Sequence, residues 1–315
     1  MTTAAFRHID LSSQLEGTTK PWSKVDIDAR SFAQEEVTRD VISLRAQDPA
    51  AFTTDNAGFS LHRAPTASAP DWFFPPPGAE AVDKVRDAYY SEVEALLREH
   101  LPTRPSKVVI FDHTIRRRAP DAPRAPVQQV HVDQTAGAAA VRVRRHVPDP
   151  AEAERLLRGR FQIVNVWRPI GHAASDTPLA VIDWRSTARD DFVPIDLLYP
   201  SQSLREAGST GDANVGGREV RAPESSRLST EGYEIAGETL GVSANPAHRF
   251  FYAPDMQPDE VLLLKCYDSH GEGEAPNGRP GLAVGSPHTA FVDPKTPPDA
   301  LPRQSIEVRC LVFYD

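Results

Sequence analysis

From residue 107 onward the chain is built of short stretches rich in β-branched and aromatic residues, joined by long irregular connections, and nothing else in the sequence constrains the fold as much. The stretches cover residues 107–111, 127–133, 161–167, 178–184, 260–267 and 304–314. Their composition and spacing read as β-strands. Because helices do not alternate with them, parallel βαβ units are excluded and an antiparallel sandwich or jelly roll is expected. One helix precedes this pattern and a second, short one interrupts it. Val82, Val85, Tyr89, Val93, Leu96 and Leu97 share one helical face, with Lys84, Asp87, Glu94 and Arg98 opposite, and Leu101-Pro102 ends the run. Asp149-Pro150-Ala151-Glu152 is an N-cap signature with proline in the first turn, and Gly159 stops that helix. The expected class is therefore mainly β with peripheral helices, in one domain over 1–315. Residues 1–105 are expected as a helical and loop extension packing on the barrel, and 106–315 as the jelly-roll core.

Proline supplies 29 of the 315 residues, about twice the usual share, which stiffens the connections. Two connections are unusually long. Residues 201–230 and 269–286 are polar and glycine-bearing with no apolar period, and both are candidate covers over a cavity. A net charge of −9 disfavours a general nucleic-acid binder. Two cysteines, Cys266 and Cys310, cannot make a disulfide framework or a cysteine-based zinc ribbon. The first residues lack the apolar core of a secretory signal, and no apolar run reaches the ~18 residues of a membrane span. A cytoplasmic protein without membrane or nucleic-acid partners is expected, and homodimerisation is left open.

The chemistry starts at His131-Val132-Asp133. In a strand, His131 and Asp133 point to one face while Val130 and Val132 point to the other. Two such ligands joined by a distant histidine make the 2-His-1-carboxylate arrangement that holds Fe(II) with open positions. Alone, the pair is a weak signal. Ten histidines and 44 acidic residues give roughly 1.4 such spacings by chance, and the chain has others at His8/Asp10 and His270/Glu272. A second clue is His288, which opens an apolar stretch. Fifteen residues later come Arg303 and Ser305, which share a strand face with Glu307 and Arg309 while Ile306, Val308, Cys310 and Val312 point away. A sheltered guanidinium suits bidentate binding of a carboxylate, with a hydroxyl adding a further hydrogen bond. The competing explanation is a set of internal ion pairs in which Arg303 or Arg309 holds Glu307.

Taken in order, these segments resemble the fungal Fe(II)/2-oxoglutarate-dependent hydroxylase/desaturase family, which includes gibberellin-desaturase-like and endoperoxide-forming enzymes of secondary metabolism. The resemblance runs from about Val108 to Tyr314. It is carried by Phe111-Asp-His-Thr-Ile-Arg116, His131-Val-Asp-Gln-Thr135, Asn165-Val-Trp-Arg-Pro169, Pro178-Leu-Ala-Val-Ile-Asp183, Cys266-Tyr-Asp-Ser269, Pro287-His-Thr-Ala-Phe291 and Arg303-Gln-Ser-Ile-Glu-Val-Arg309. It implies a double-stranded β-helix with His131, Asp133 and His288 on iron, and Arg303 with Ser305 on the distal carboxylate of 2-oxoglutarate.

By similarity to related oxygenases, Gln128 and Asn165 are candidate contacts to 2-oxoglutarate, although strict alternation turns Gln128 away from the face of His131. Either amide reads equally well as an ordinary hydrogen-bonded side chain. Trp167 and Phe313 are candidates for the substrate cavity or for plain core. Arg116 belongs to a charge run that reads as a solvated edge or an internal salt bridge. The resemblance implies an O₂-using oxygenase that converts 2-oxoglutarate to succinate and CO₂ while acting on a small-molecule natural-product intermediate. The outcome could be hydroxylation, desaturation, ring formation or endoperoxidation. Two alternatives stay open: a zinc hydrolase on the same three ligands, and a non-catalytic jelly-roll binding module.

Overall fold

A computed structural model describes residues 1–12, 17, 19–74, 84–118, 126–201 and 227–315. Two β-sheets face each other. The smaller has the order β4-β12-β7-β14-β5, from Phe59–Arg63 (β4), Glu260–Asp268 (β12), Phe161–Pro169 (β7), Gln304–Phe313 (β14) and Lys107–Arg117 (β5), all antiparallel. The larger has the order β1-β3-β11-β8-β13-β6-β10-β9-β2. Its strands are Thr2–Asp10 (β1), Trp22–Lys24 (β2), Ala33–Ser43 (β3), His131–Val132 (β6), Leu179–Ile182 (β8), Phe192–Pro200 (β9), Tyr233–Val242 (β10), Phe250–Tyr252 (β11) and His288–Ala290 (β13). This sheet curls on itself. Val130 N–H donates to Arg7 O at 2.9 Å, so the chain entering β6 meets the free edge of β1. Phe6, Val41, Val130, Val132, Ile182 and Phe250 fill the inside of that curl.

Alternation along β14 decides what each sheet face does. Ile306, Val308, Cys310 and Val312 point outward and pack with Tyr89, Val93 and Leu97 of the helix Tyr90–His100 (α1) and the π-turn Val85–Tyr89 that precedes it. Burial of such side chains is worth roughly 1.5–3 kcal/mol each. The odd-numbered residues face the larger sheet. At one end of this inner face Leu311 and Phe313 pack with Phe161 and Ile163 beneath Ala136–His146 (α2) and Pro150–Arg158 (α3). At the other end lie Arg303 and Ser305. Between the apolar plug and that end the sandwich holds its polar interior.

Residues 1–105, expected as a helical and loop extension, instead supply β1 to β4 to both sheets. The signal is muted because the buried positions on β1 are Thr2, Ala4, Phe6, His8 and Ile9, small or polar residues in three cases of five. On β3 charged residues fill most exposed positions. The helix α2 is also additional to the sequence reading; only Ala139 and Val143 anchor it, so its apolar stripe is too thin to read. The Asp149 cap of α3 is as expected, accepting from Ala151 N–H at 2.9 Å.

Of the two long connections expected as covers, only one is described in full. Most of 201–230 lies outside the described residues. The 269–286 connection is tied down. Ala283 N–H donates to Asp55 O at 2.7 Å, Ser286 N–H to Lys265 O at 2.6 Å, and Arg279 N–H to His270 O at 2.9 Å.

Candidate active site

His131 on β6 and His288 on β13 are direct cross-strand partners, with ring centroids 4.5 Å apart. Asp133 follows two residues after His131, where β6 gives way to the turn leading into α2. Val130 and Val132 are buried inside the curl, so the alternation read from the sequence turns His131 and Asp133 toward the smaller sheet. One ligand atom from each of His131, Asp133 and His288 lies within 4.8 Å of the others.

The hydrogen bonds around the histidines fix which nitrogen is available. His131 Nδ1 donates to Gln129 O at 2.8 Å, and His288 Nδ1 donates to Ser286 O at 2.9 Å. In each ring the Nε2 lone pair is thereby presented to the pocket, the tautomer a metal needs. Burial would push the Asp133 carboxyl up, but the hydrogen bond with His131 and the charges of His288 and Arg309 hold it well below the usual carboxylate range. Burial lowers His288, with the His131 ring adding to the effect. Burial also opposes charge on His131, yet Asp133, 3.3 Å away, raises its pKa overall. A metal competes with protons for these three groups, so its binding here would depend on pH. The donor set and its second contacts therefore fit a divalent iron.

The same pocket reaches Arg303. Its lining includes Arg116, Val127, Trp167, Leu179, Ala290 and Glu307 besides His131, Asp133 and His288. Arg303 is 2% exposed. Its Nη1 donates to Thr177 O at 2.7 Å, its Nε has no partner, and its guanidinium sits 5.5 Å from the Trp167 ring centre. Asp176 is already engaged by Arg118 at 2.9 Å and by the Thr177 hydroxyl at 3.0 Å, and it meets Arg303 through the backbone N–H and not the guanidinium. Burial, and then the charge of Arg116, lower the Arg303 guanidinium to about 9, so it is still a cation at neutral pH. A buried cation with an idle donor, at the far end of a pocket from a metal-type triad, calls for an anion. The internal ion pair weighed against this reading belongs to Arg309, whose Nη2 donates to Glu307 at 2.6 Å.

An oxidoreductase/YMDC permease-like domain family matches residues 12–313. Among the described residues no helix is long and apolar enough to cross a membrane. The hydroxylase/desaturase poxK of Penicillium oxalicum is 34% identical over 238 residues, covering 75% of this chain and 67% of the relative. The hydroxylase/desaturase efuI of Hormonema carpetanum is 30% identical over 283 residues, covering 84% and 79%. This chain belongs to the fungal hydroxylase/desaturase family. The Fe(II)/2-oxoglutarate-dependent dioxygenase nvfI of Aspergillus novofumigatus, also 30% identical, covers 75% of this chain and 69% of its own length. In fold, a solved variant of the iron and alpha-ketoglutarate-dependent endoperoxidase NvfI superposes with a TM-score of 0.74. It covers 99% of this chain and 98% of its own at 24% identity, so the two curled sheets are those of the jelly roll.

Within this hydroxylase/desaturase frame the remaining expected residues separate. Trp167 lines the pocket. Ser305 is buried on the Arg303 end of β14, paired across the sheet with Arg116. Gln128 faces another cleft, formed with Ala5, Arg7, Glu36 and Val292, because its even number turns it away from His131. Phe313 is fully buried in the apolar plug below α2 and α3 and does not line the pocket. Asn165 is also absent from the pocket wall; its Nδ2 donates to Asp133 at 2.7 Å. Two charged wall residues were not expected as site residues: the sequence reads Glu307 as an ion-pair partner of Arg303 or Arg309, and Arg116 as a solvated edge or an internal salt bridge.

Proposed function

We propose that this chain catalyses Fe(II)- and 2-oxoglutarate-dependent oxidation of a small natural-product molecule. His131, Asp133 and His288 hold the iron, and Arg303 with Ser305 holds the distal carboxylate of 2-oxoglutarate. The observation that carries the reading is a single pocket with two requirements left open: converging ligand atoms at one end and a buried guanidinium without an acid at the other. When bound, iron and 2-oxoglutarate supply the oxidant from O₂, with one oxygen atom entering succinate as CO₂ leaves and the other available to the substrate or to water.

The protein's own part is placement. Arg303 fixes one end of a five-carbon dicarboxylate, so the 2-oxo acid end is delivered to the triad rather than left to diffuse. Trp167, stacked under Arg303, keeps water from the charged pair and so strengthens it. Val127, Leu179 and Ala290 give an apolar approach suited to a carbon skeleton. A hydrolase has no use for the Arg303 end, which sets the zinc reading aside. A cytoplasmic location belongs to the same reading and accords with two free, buried cysteines. The test is incubation of the purified protein with Fe(II), 2-oxoglutarate, O₂ and extracts containing natural-product intermediates. Succinate formation that requires Fe(II) and is not supported by Zn(II) is expected; metal-dependent hydrolysis with 2-oxoglutarate untouched would overturn the assignment.

A further inference from the structure

The two oxygens of Asp133 have different surroundings. Oδ1 is the one turned to the histidines, 3.3 Å from His131 Nε2 and 4.0 Å from His288 Nε2. Oδ2 points the other way and accepts the hydrogen bond from Asn165 Nδ2 at 2.7 Å. Arg309 Nε stands 3.8 Å from the same Oδ2, too far for a hydrogen bond but close enough to act by charge. Arg309 cannot swing closer, because Glu307, Asp112 and Thr114 hold its guanidinium at 2.6, 3.0 and 2.9 Å. Asn165 and Arg309 are cross-strand neighbours at the centre of the smaller sheet, and Asn165 is fully buried. Its amide can face the carboxylate only through nitrogen, since an ionised carboxylate is acceptor-only.

From this we infer that Asn165 is a positioning residue for Asp133 and not a contact to the cosubstrate. By engaging Oδ2 it would leave Oδ1 as the oxygen that Asp133 offers a metal, so the carboxylate would bind through Oδ1 and its second oxygen would not take a further coordination position. That position is needed by the two donor atoms of a 2-oxo acid and by O₂. The choice of residue follows. A serine in β7 would fall short of Oδ2, an aspartate there would repel it, and a leucine would leave it buried with one strong donor fewer. The inference rests on the triad holding the metal, as proposed above.

Asn165→Leu keeps the volume within a strand whose neighbours Val164 and Val166 are core, while removing the donor. Asn165→Ser is the second variant should the first fail to accumulate. Each is compared with wild type in three measurements: metal-free melting temperature, Co(II) or anaerobic Fe(II) dissociation constant, and 2-oxoglutarate KM at saturating iron. Loss of a hydrogen bond behind a ligand is expected to weaken metal binding by about 10–100-fold. The 2-oxoglutarate KM at saturating iron should stay within about twofold and the metal-free melting temperature should hold. A rise in 2-oxoglutarate KM with metal affinity unchanged would overturn the inference and make Asn165 a cosubstrate contact. A fall in metal-free stability that accounts for any loss of metal affinity would overturn it in favour of a purely structural role. Failure of the wild-type protein to bind either metal would overturn the triad itself.

Discussion

Two clusters of charge are buried in this molecule, and they are finished to different degrees. In the first, Lys265 and Asp268 are both fully buried beside Arg160, Asp55 and Gln162. The Lys265 ammonium has three donors and meets three acceptors: Asp268 at 2.7 Å, Asp55 at 3.1 Å and Ala283 O at 3.1 Å. Asp268 also accepts from Arg160 and Gln162, each at 2.7 Å, and Tyr314 closes the set on Gln162 at 2.8 Å. Burial opposes its charge, but Lys265 and Arg160 bring the Asp268 carboxyl down to about 2. In the second cluster Arg303 Nε and Asn165 Oδ1 have no partner, and the Nε2 atoms of two imidazoles converge on one carboxylate oxygen at 3.3 and 4.0 Å. Buried polar groups in native proteins are normally satisfied, so the complete cluster reads as architecture and the incomplete one as a binding site. The first even serves the second: Lys265 O receives Ser286 N–H, and Ser286 O orients His288.

The contrast can be broken most sharply at the triad. His131→Ala, Asp133→Ala and His288→Ala should each abolish iron binding and turnover while the protein stays folded, because each removes a ligand and no core. Metal content after anaerobic reconstitution, alongside far-ultraviolet circular dichroism, reads both. Wild-type iron content in His288→Ala would mean that the triad is misassigned.

Substitution at the centre of the complete cluster should act on the fold instead. Lys265→Met strands a buried carboxylate and should cost about 3–5 kcal/mol of stability in denaturant unfolding of the metal-free protein. Arg303→Met is the mirror case. It removes a buried cation that has no acid, so metal-free stability should be unchanged or slightly higher, whereas 2-oxoglutarate affinity should fall by about 2–5 kcal/mol, on the order of thirty-fold or more. If Arg303→Met unfolds the protein as Lys265→Met does, the two clusters are alike and the distinction fails. Smallest is Ser305→Ala, expected to cost about 1 kcal/mol in 2-oxoglutarate affinity as one hydrogen bond to a charged group is lost, read by isothermal titration.

Where the sequence was readable, period-2 alternation made it so. His131 and Asp133 against Val130 and Val132, and Arg303, Ser305 and Glu307 against Ile306 and Val308, needed only the strand rule. Phe313 obeys the same alternation yet is core, because which part of an inner face is cavity depends on where α2 and α3 land, and α2 has too few apolar positions to announce itself. Asn165 was singled out as a polar residue on an apolar strand, but its partner Asp133 is 32 residues away on the facing sheet. The N-terminal strands escaped notice for a related reason: three of the five buried residues on β1 are threonine, alanine and histidine, whose burial is decided by β3 and the chain entering β6.

The central claim is that the unfinished cluster is one site with a metal end and a carboxylate end. Anaerobic titration of the Fe(II)-loaded protein with 2-oxoglutarate tests it without knowing the substrate, since a 2-oxo acid chelating iron gives a visible charge-transfer band. One equivalent of each should give a saturable band in wild type, a much higher 2-oxoglutarate requirement in Arg303→Met, and no band in His288→Ala. A wild-type protein that takes up iron yet shows no band, or one whose band saturates identically in Arg303→Met, would contradict it.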